Sequence, residues 1–582
     1  MTKPQRIIAP TGDYGDWRQR SEWGGAEAPR LLFNTLVGNP GLTEGLLGDL
    51  LTYRGINLPR LFEGTWITLT WPEWFSELAV LENMVLVHSG EPMLLENPSF
   101  VHRAAAQCVQ IRHPETVFTA RVRWPLSEAA HHIPPAAYRF LRLGRNLLRA
   151  ALNLRSERVE CGGSRCAFFP WSTKIAPHIL PVAKTWGRRN NEPVFLAGWN
   201  QEAPIDIQEG WVWSNLSREI SLTLILEAWR ADVQLKRNWH LALKEGRFSN
   251  LANWRGWDMR PLVIPTLNAV VDELFPTILR VLCAEAWCRA HSLLAAVLPL
   301  DGSAAARSVV AGARLAGTLS FSVQYGLTVD NPEIAEPFED MAFLSGSTTH
   351  SWFMQRGASA QKLTVVGTTA YDHILEMLEH RETLRQQLAN KVGLRPAFPL
   401  VLVATWHVQA VYPENVKNAE LALIFESLSQ IQNAQVIVKL HPSDQDGGKL
   451  ETSVAARFNL PIHIIDSLLL NEHLVLCSDL MICNYTTLGL MAVLVETPLI
   501  IVDLGLMQKP PYRSYVDEGV ASFADNRVKM DGALKEALSG RTVFWGRRER
   551  ARASFISTRL FKNDGHSADR ICDVIQNHLS CE

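Results

Sequence analysis

The sequence predicts an α/β fold: two doubly wound parallel-sheet domains in tandem, behind an amino-terminal region rich in tryptophan. Three observations predict it. Short apolar runs alternate with helical patterns from about residue 290 and again from 400 to 502, each run stops abruptly in polar residues, and a turn-forming segment, Gly393 to Pro399, separates the two series. Strands that alternate with helices form parallel sheets covered on both faces, and their strands read as continuous apolar runs.

Residues 1–190 form the first expected region, whose mixed periodicity assigns no fold. Sixteen of the nineteen tryptophans precede residue 290, in pieces such as TWITLTWPEWF (65–75) and GWVWSNL (210–216). They are either core and lid packing or stacking platforms for sugar rings. Residues 136–158 read as a helix in which Arg139, Arg142, Arg145, Arg149 and Arg155 recur against Leu141, Leu147, Leu148 and Leu152. Such a face suits peripheral contact with an anionic membrane, an anionic glycan, solvent or a neighbouring domain alike.

The first sheet domain is expected over 191–392, with strands over 194–199, 292–300, 318–323, 341–344 and 362–366, and helices over 266–289, 304–316, 350–357 and 371–391. The second is expected over 393–582. Its strands are read over 400–405, 435–440, 462–465, 479–483 and 499–502, and its helices over 418–432, 450–458 and 486–494, with a further element over 468–476 and helices at the carboxyl end. Ligands collect at the carboxyl ends of parallel strands, so two such edges facing each other predict a cleft.

Composition narrows the function. The 582 residues are 47% hydrophobic and 20% charged, which describes an ordinary globular chain, and the net charge of −2 gives no reason to expect nucleic acid as a partner. Nine scattered cysteines lack the spacing of a zinc site and read as buried thiols in a reducing compartment. The start has no apolar core of a signal peptide, and no long uncharged run reads as a membrane span. The expectation is a cytoplasmic protein, with any membrane contact peripheral at the inner face of the cytoplasmic membrane.

The stretch 435–503 concentrates the chemistry. Lys439-Leu440-His441-Pro442 closes one apolar run, and Asn484-Tyr485-Thr486-Thr487 follows another and opens a helix. A helix that begins with two hydroxyls offers backbone N–H groups, side-chain donors and a positive dipole end, which suits a phosphate. His441, Thr486 and Thr487 are therefore candidates to converge on one phosphate group, although His441 also suits a turn cap and the threonines a simple helix cap. In the first domain, Asp301-Gly302 follows a predicted buried strand at the cleft edge, where the carboxylate suits a general base, a nucleophile or the cap of the next helix.

In order and spacing, these pieces resemble the GT-B glycosyltransferases, built of two Rossmann-like domains, of the bacterial surface-polysaccharide group: capsule polysialyltransferases, Kdo transferases and CDP-glycerol glycerophosphotransferases. The matching pieces, over residues 290–525, are Ser322-Val-Gln-Tyr-Gly326, Val365-Val-Gly-Thr-Thr-Ala-Tyr-Asp372, Ala404-Thr-Trp406, Lys439-Leu-His-Pro442, Thr486-Thr487 and Tyr515-Val-Asp-Glu-Gly519. The resemblance implies a metal-independent transferase without a cofactor. Its substrate is a nucleotide-sugar donor, favoured as a CMP-linked acidic sugar (Kdo or sialic acid), and its acceptor a hydroxyl on a glycan or glycolipid.

By the same resemblance His441 contacts the donor phosphate with Lys439 and Pro442 beside it, Thr486 and Thr487 hold that phosphate, and Asp301 deprotonates the acceptor. Gln324, Tyr325, Gly326 and Arg307 belong to the cleft, and His407 and Glu496 are further donor-side candidates. Two positions depart from the family pattern: Tyr325 stands where histidine is usual, and Met491 where a carboxylate is. A CDP-polyol phosphotransferase, a UDP-sugar 2-epimerase-like enzyme and a non-catalytic scaffold are the alternatives.

Overall fold

The computed structural model describes residues 51–62, 71–87, 93–96, 100–121, 163–173, 175–200, 202–300, 302–326, 337–406, 414–441, 446–465, 471–484, 486–506 and 514–580, together with 6–8, residue 444 and a few isolated positions between 32 and 50 and between 144 and 148. Asp301, His407, Pro442 and most of the arginine-rich segment 136–158 lie outside the described residues.

Two parallel sheets dominate, and both follow one plan. In the first, seven strands stand in the order Leu363–Val365, Met341–Leu344, Leu319–Val323, Ala295–Pro299, Cys166–Phe168, Val194–Gly198, Trp211–Asn215, with every pair parallel. In the second, six strands stand in the order Ile462–Ile465, Gln435–Lys439, Leu400–Ala404, Leu480–Cys483, Leu499–Val502, Ser522–Ala524, again all parallel. Each sheet grows outward from its first strand, then jumps to the other side with its fourth. That reversal makes a topological switch point, and the crevice at its carboxyl edge is where doubly wound sheets bind ligands. Two tandem Rossmann-like domains, as expected, are what the chain forms.

The strands earn their place by burial on both faces. Ala295–Pro299 and Leu400–Ala404, which flank the two switch points, are buried along their whole length. The predicted spans 304–316, 341–344, 462–465 and 499–502 coincide with observed elements. Two long helices expected from periodicity are each broken. The span 266–289 divides into Arg260–Asp272 and Leu274–Ala290, bent by 49°, because Pro276 offers no N–H to the carbonyl of Asp272 and its ring would crowd that group. The span 371–391 divides at His380 into Ile374–Glu379 and Arg381–Val392.

The expected divisions at 190/191 and 392/393 both fall inside packed units. Cys166–Phe168 is the first strand of the first sheet, and Ile374 and Leu388 are buried in the second domain's core. The last helix, Ser567–Ser580, returns to the first domain, where Ile571, Cys572 and Ile575 pack with Phe168, Val182, Trp186 and Phe321. Asp372 holds its amino end, accepting from the backbone N–H of Ser567 at 3.0 Å and Ala568 at 2.8 Å. Such a carboxylate satisfies donors that the helix cannot satisfy itself.

In the amino-terminal region Arg6–Ile8, Met93–Glu96 and Phe118–Arg121 form a three-stranded parallel sheet. Its buried residues, with those of helices Trp71–Val87 and Phe100–Arg112, share one core with the helices spanning 222–290. Trp186, Trp239, Trp257 and Trp287 are fully buried, so these four are packing residues rather than sugar platforms. Seven cysteines among the described residues are free and buried. No single described helix is long and apolar enough to cross a membrane.

Candidate active site

The two carboxyl edges meet. Ser322-Val-Gln-Tyr-Gly326 leaves the first sheet and Thr486-Thr487 leaves the second, and a Cβ built on Gly326 would lie 3.8 Å from Thr487 Cγ2. Gly326 has φ +74°, a left-handed conformation that a side chain would strain, so glycine suits both the turn and the contact. Gln324 sets this loop from below. Its Oε1 accepts from the N–H of Ser345 at 2.8 Å and Ser345 Oγ at 3.0 Å, while Nε2 donates to Gly326 O at 3.1 Å and Thr349 Oγ1 at 3.2 Å. Gln324 is 7% exposed with both amide atoms hydrogen-bonded, so it positions the loop.

On the second domain, His441 follows Gln435–Lys439 and Thr486 follows Leu480–Cys483, the two strands that flank Leu400–Ala404. At strand spacing they therefore leave the same edge about 10 Å apart. Thr405 binds between them, its N–H donating to Lys439 O at 3.0 Å. The turn after His441 is held by its own carbonyl, which accepts from Asp444 N–H at 2.9 Å, and by Lys417. The Lys417 ammonium lies 2.8 Å from Asp444 and 2.7 Å from Glu451, with all three side chains buried. Burial works against its charge, but the hydrogen bonds it donates to Asp444 and Glu451 hold its pKa above the ordinary value. Asp444, Asp446 and Glu451 form the one carboxylate cluster close enough to hold a metal among the described residues, and Lys417 already supplies two of its members with positive charge.

Thr486 and Thr487 divide the capping work unequally. Thr486 Oγ1 accepts from Leu488 N–H at 3.4 Å, whereas Thr487, at the cap position of Leu488–Leu494, makes no side-chain capping bond. Tyr515 braces this turn. It is fully buried, its hydroxyl donates to Thr486 O at 2.8 Å, and its ring occupies the space a side chain at Gly489 would need.

Three expected site residues stand elsewhere. Lys439 is 3% exposed and its ammonium donates to Leu440 O at 2.8 Å, so it is a buried structural cation. Glu496 sits past the far end of Leu488–Leu494, at the sheet's amino edge, and pairs with Arg552 at 3.0 Å. Seven helical residues carry the chain away from the cleft before it. Arg307, 1% exposed, turns to the amino-terminal region, donating to Arg60 O at 2.5 Å and stacking over Phe338. The helix Ala304–Ala316 is capped by Ser303, whose Oγ accepts from Ala306 N–H at 3.3 Å.

Other residues come to the edges unannounced. Glu420 and Asn484 are buried together, with Asn484 Nδ2 3.0 and 2.9 Å from the two carboxylate oxygens. They line, with Thr405, Trp406 and Cys483, a cavity of about 20 Å³ at the second switch point, room for one water molecule. The signal was two charges, Lys417 and Glu420, inside the apolar face of Glu414–Leu428. In the first domain the His178 ring meets Tyr325 edge-on at 6.4 Å. Its Nδ1 is buried and has no hydrogen-bond partner among the described residues, and burial pushes the imidazole down to about 4. The position where histidine was missing thus has an imidazole from another element beside it.

No protein-family model and no curated protein matches the chain. Among solved structures it is similar to the wall teichoic acid polymerase TagF, at 9% identity over 79% of this chain and 99% of that one, with a TM-score of 0.46. It is also similar to a UDP-N-acetylglucosamine 2-epimerase, at 11% identity over 72% and 96%, TM-score 0.43. The third is S. aureus MnaA with UDP, at 12% over 72% and 97%, TM-score 0.42. These likenesses are distant, and the fold rests on the two sheet orders themselves.

Proposed function

We propose that the chain is a GT-B glycosyltransferase that moves a sugar from a nucleotide donor, favoured as a CMP-linked acidic sugar such as Kdo or sialic acid, to a hydroxyl of a bacterial surface glycan. The observation that supports it is the approach of Gly326 to Thr487 across two sheets of the same strand order. In this reading the donor phosphate lies along the second edge, where His441 and the threonine hydroxyls donate to oxygens that gain charge as the nucleotide leaves. The acceptor oxygen bonds to the sugar carbon, the bond from that carbon to the phosphate oxygen breaks, and the acceptor proton passes to Asp301. Tyr325 and His178 wall the acceptor side.

Thermal unfolding with CMP, CDP and UDP tests the proposal. A nucleotide at a hundredfold excess over its dissociation constant stabilises the folded state by about 2.7 kcal/mol. A shift with CMP supports the favoured donor, one with CDP moves the reading to a polyol phosphotransferase, and one with UDP to a UDP-sugar enzyme. No shift with any of them leaves a scaffold.

A further inference from the structure

The helix Leu222–Lys244 carries an exposed apolar stripe. Leu222, Leu226, Trp229, Val233 and Leu241 are between 46% and 55% exposed. Spacings of four, three and four place the first four within about 60° of arc on the helix. Single exposed apolar residues are common on any surface, but four in one stripe with a tryptophan among them mark an interaction face. The opposite side is ordinary core, with Ile225, Ala228, Leu235, Trp239 and Ala242 buried.

Charge selects the partner. Arg230, Arg237 and Lys244 are exposed beside or in line with the stripe. The helix holds only two carboxylates, and both are engaged away from that face. Glu227 accepts from the Tyr53 hydroxyl at 2.5 Å, and Asp232, 7% exposed, pairs with Lys236 at 2.6 Å. The face is thus apolar and cationic with no acid of its own. We propose that it docks the protein on an anionic lipid surface, the helix lying in the interface plane with its leucines and tryptophan at the acyl boundary and its cations among the phosphates. A second copy of the chain fits less well, since the same face brings it no carboxylate for these cations.

Flotation of the full chain with vesicles of phosphatidylcholine, with and without phosphatidylglycerol, tests this. Binding is expected only to the anionic vesicles and weakens as salt rises. Leu226→Glu/Val233→Glu should abolish it, and Arg230→Gln and Arg237→Gln should each weaken it about fivefold. The replaced side chains are half exposed, so unchanged circular dichroism and unfolding midpoint confirm the fold of each variant. Failure of the wild type to bind anionic vesicles overturns the proposal, as does normal binding by the Leu226/Val233 variant. Loss of binding only on reversing Arg142, Arg145 and Arg149 would also overturn it. So would a lipid-free dimer that the stripe substitutions dissociate.

Discussion

Gly489→Ala isolates the link between the buried Tyr515 and the threonine turn. A Cβ at 489 would lie 2.6 Å from Tyr515 Cζ and 2.9 Å from both Cε2 and the hydroxyl oxygen. Carbon atoms rest about 3.5–4 Å apart, so the ring must retreat by about 1 Å. It has nowhere free to go, being fully buried with its ring 5.7 Å from that of Phe555. Overpacking of this kind costs about 1–3 kcal/mol. Loss of the hydroxyl's bond to Thr486 O adds about 1 kcal/mol, and the better helix propensity of alanine offsets up to about 1 kcal/mol. The net expectation is a destabilisation of about 1–3 kcal/mol, measured as a shift in the urea midpoint at unchanged slope. On a Tyr515→Leu background the clash has no partner, so the same Gly489→Ala change should be neutral or stabilising. Wild-type stability for Gly489→Ala, or the same cost on both backgrounds, would refute the reasoning.

Three further outcomes are expected. Burial holds His178 near 4 against an ordinary 6.5. Because the folded-state value is the lower one, neutral His178 contributes fully above pH 6.5, and up to about 3 kcal/mol is lost as pH falls from 6.5 toward 4. His178→Gln should flatten that acid limb, and an unchanged limb would contradict the assignment. His441→Ala and Asp301→Ala should each abolish transfer in a folded protein, and near-normal turnover in either removes that residue from the mechanism. Transfer should persist in EDTA, since Lys417 already pairs with two of the three carboxylates best placed for a metal; loss of activity restored by a divalent cation would contradict this.

What was legible in the sequence was local. Strands buried on both faces announce themselves as apolar runs, which is why 341–344, 462–465 and 499–502 matched. The three-residue strand Cys166–Phe168 is too short to show a pattern, and its place at the first switch point comes from pairing with Ala295–Val297, far along the chain. Asp372 lay in a quoted motif, yet its partners are 195 and 196 residues away. The helical period predicted the burial of Arg307 no better, because its guanidinium donates to Arg60 O in the amino-terminal region, 247 residues away. Edge positions such as His441 and Thr487 were legible because a strand end followed by a polar turn is itself a sequence signal. Glu496 misled because sequence proximity to a strand does not say which edge it approaches.

The most direct measurement is a crystal structure of the protein soaked with CMP. The account predicts the nucleotide in the cleft beside the Gly326–Thr487 approach, its phosphate within hydrogen-bond distance of His441 and a threonine hydroxyl. A nucleotide seated elsewhere, or a phosphate turned away from both groups, would contradict it.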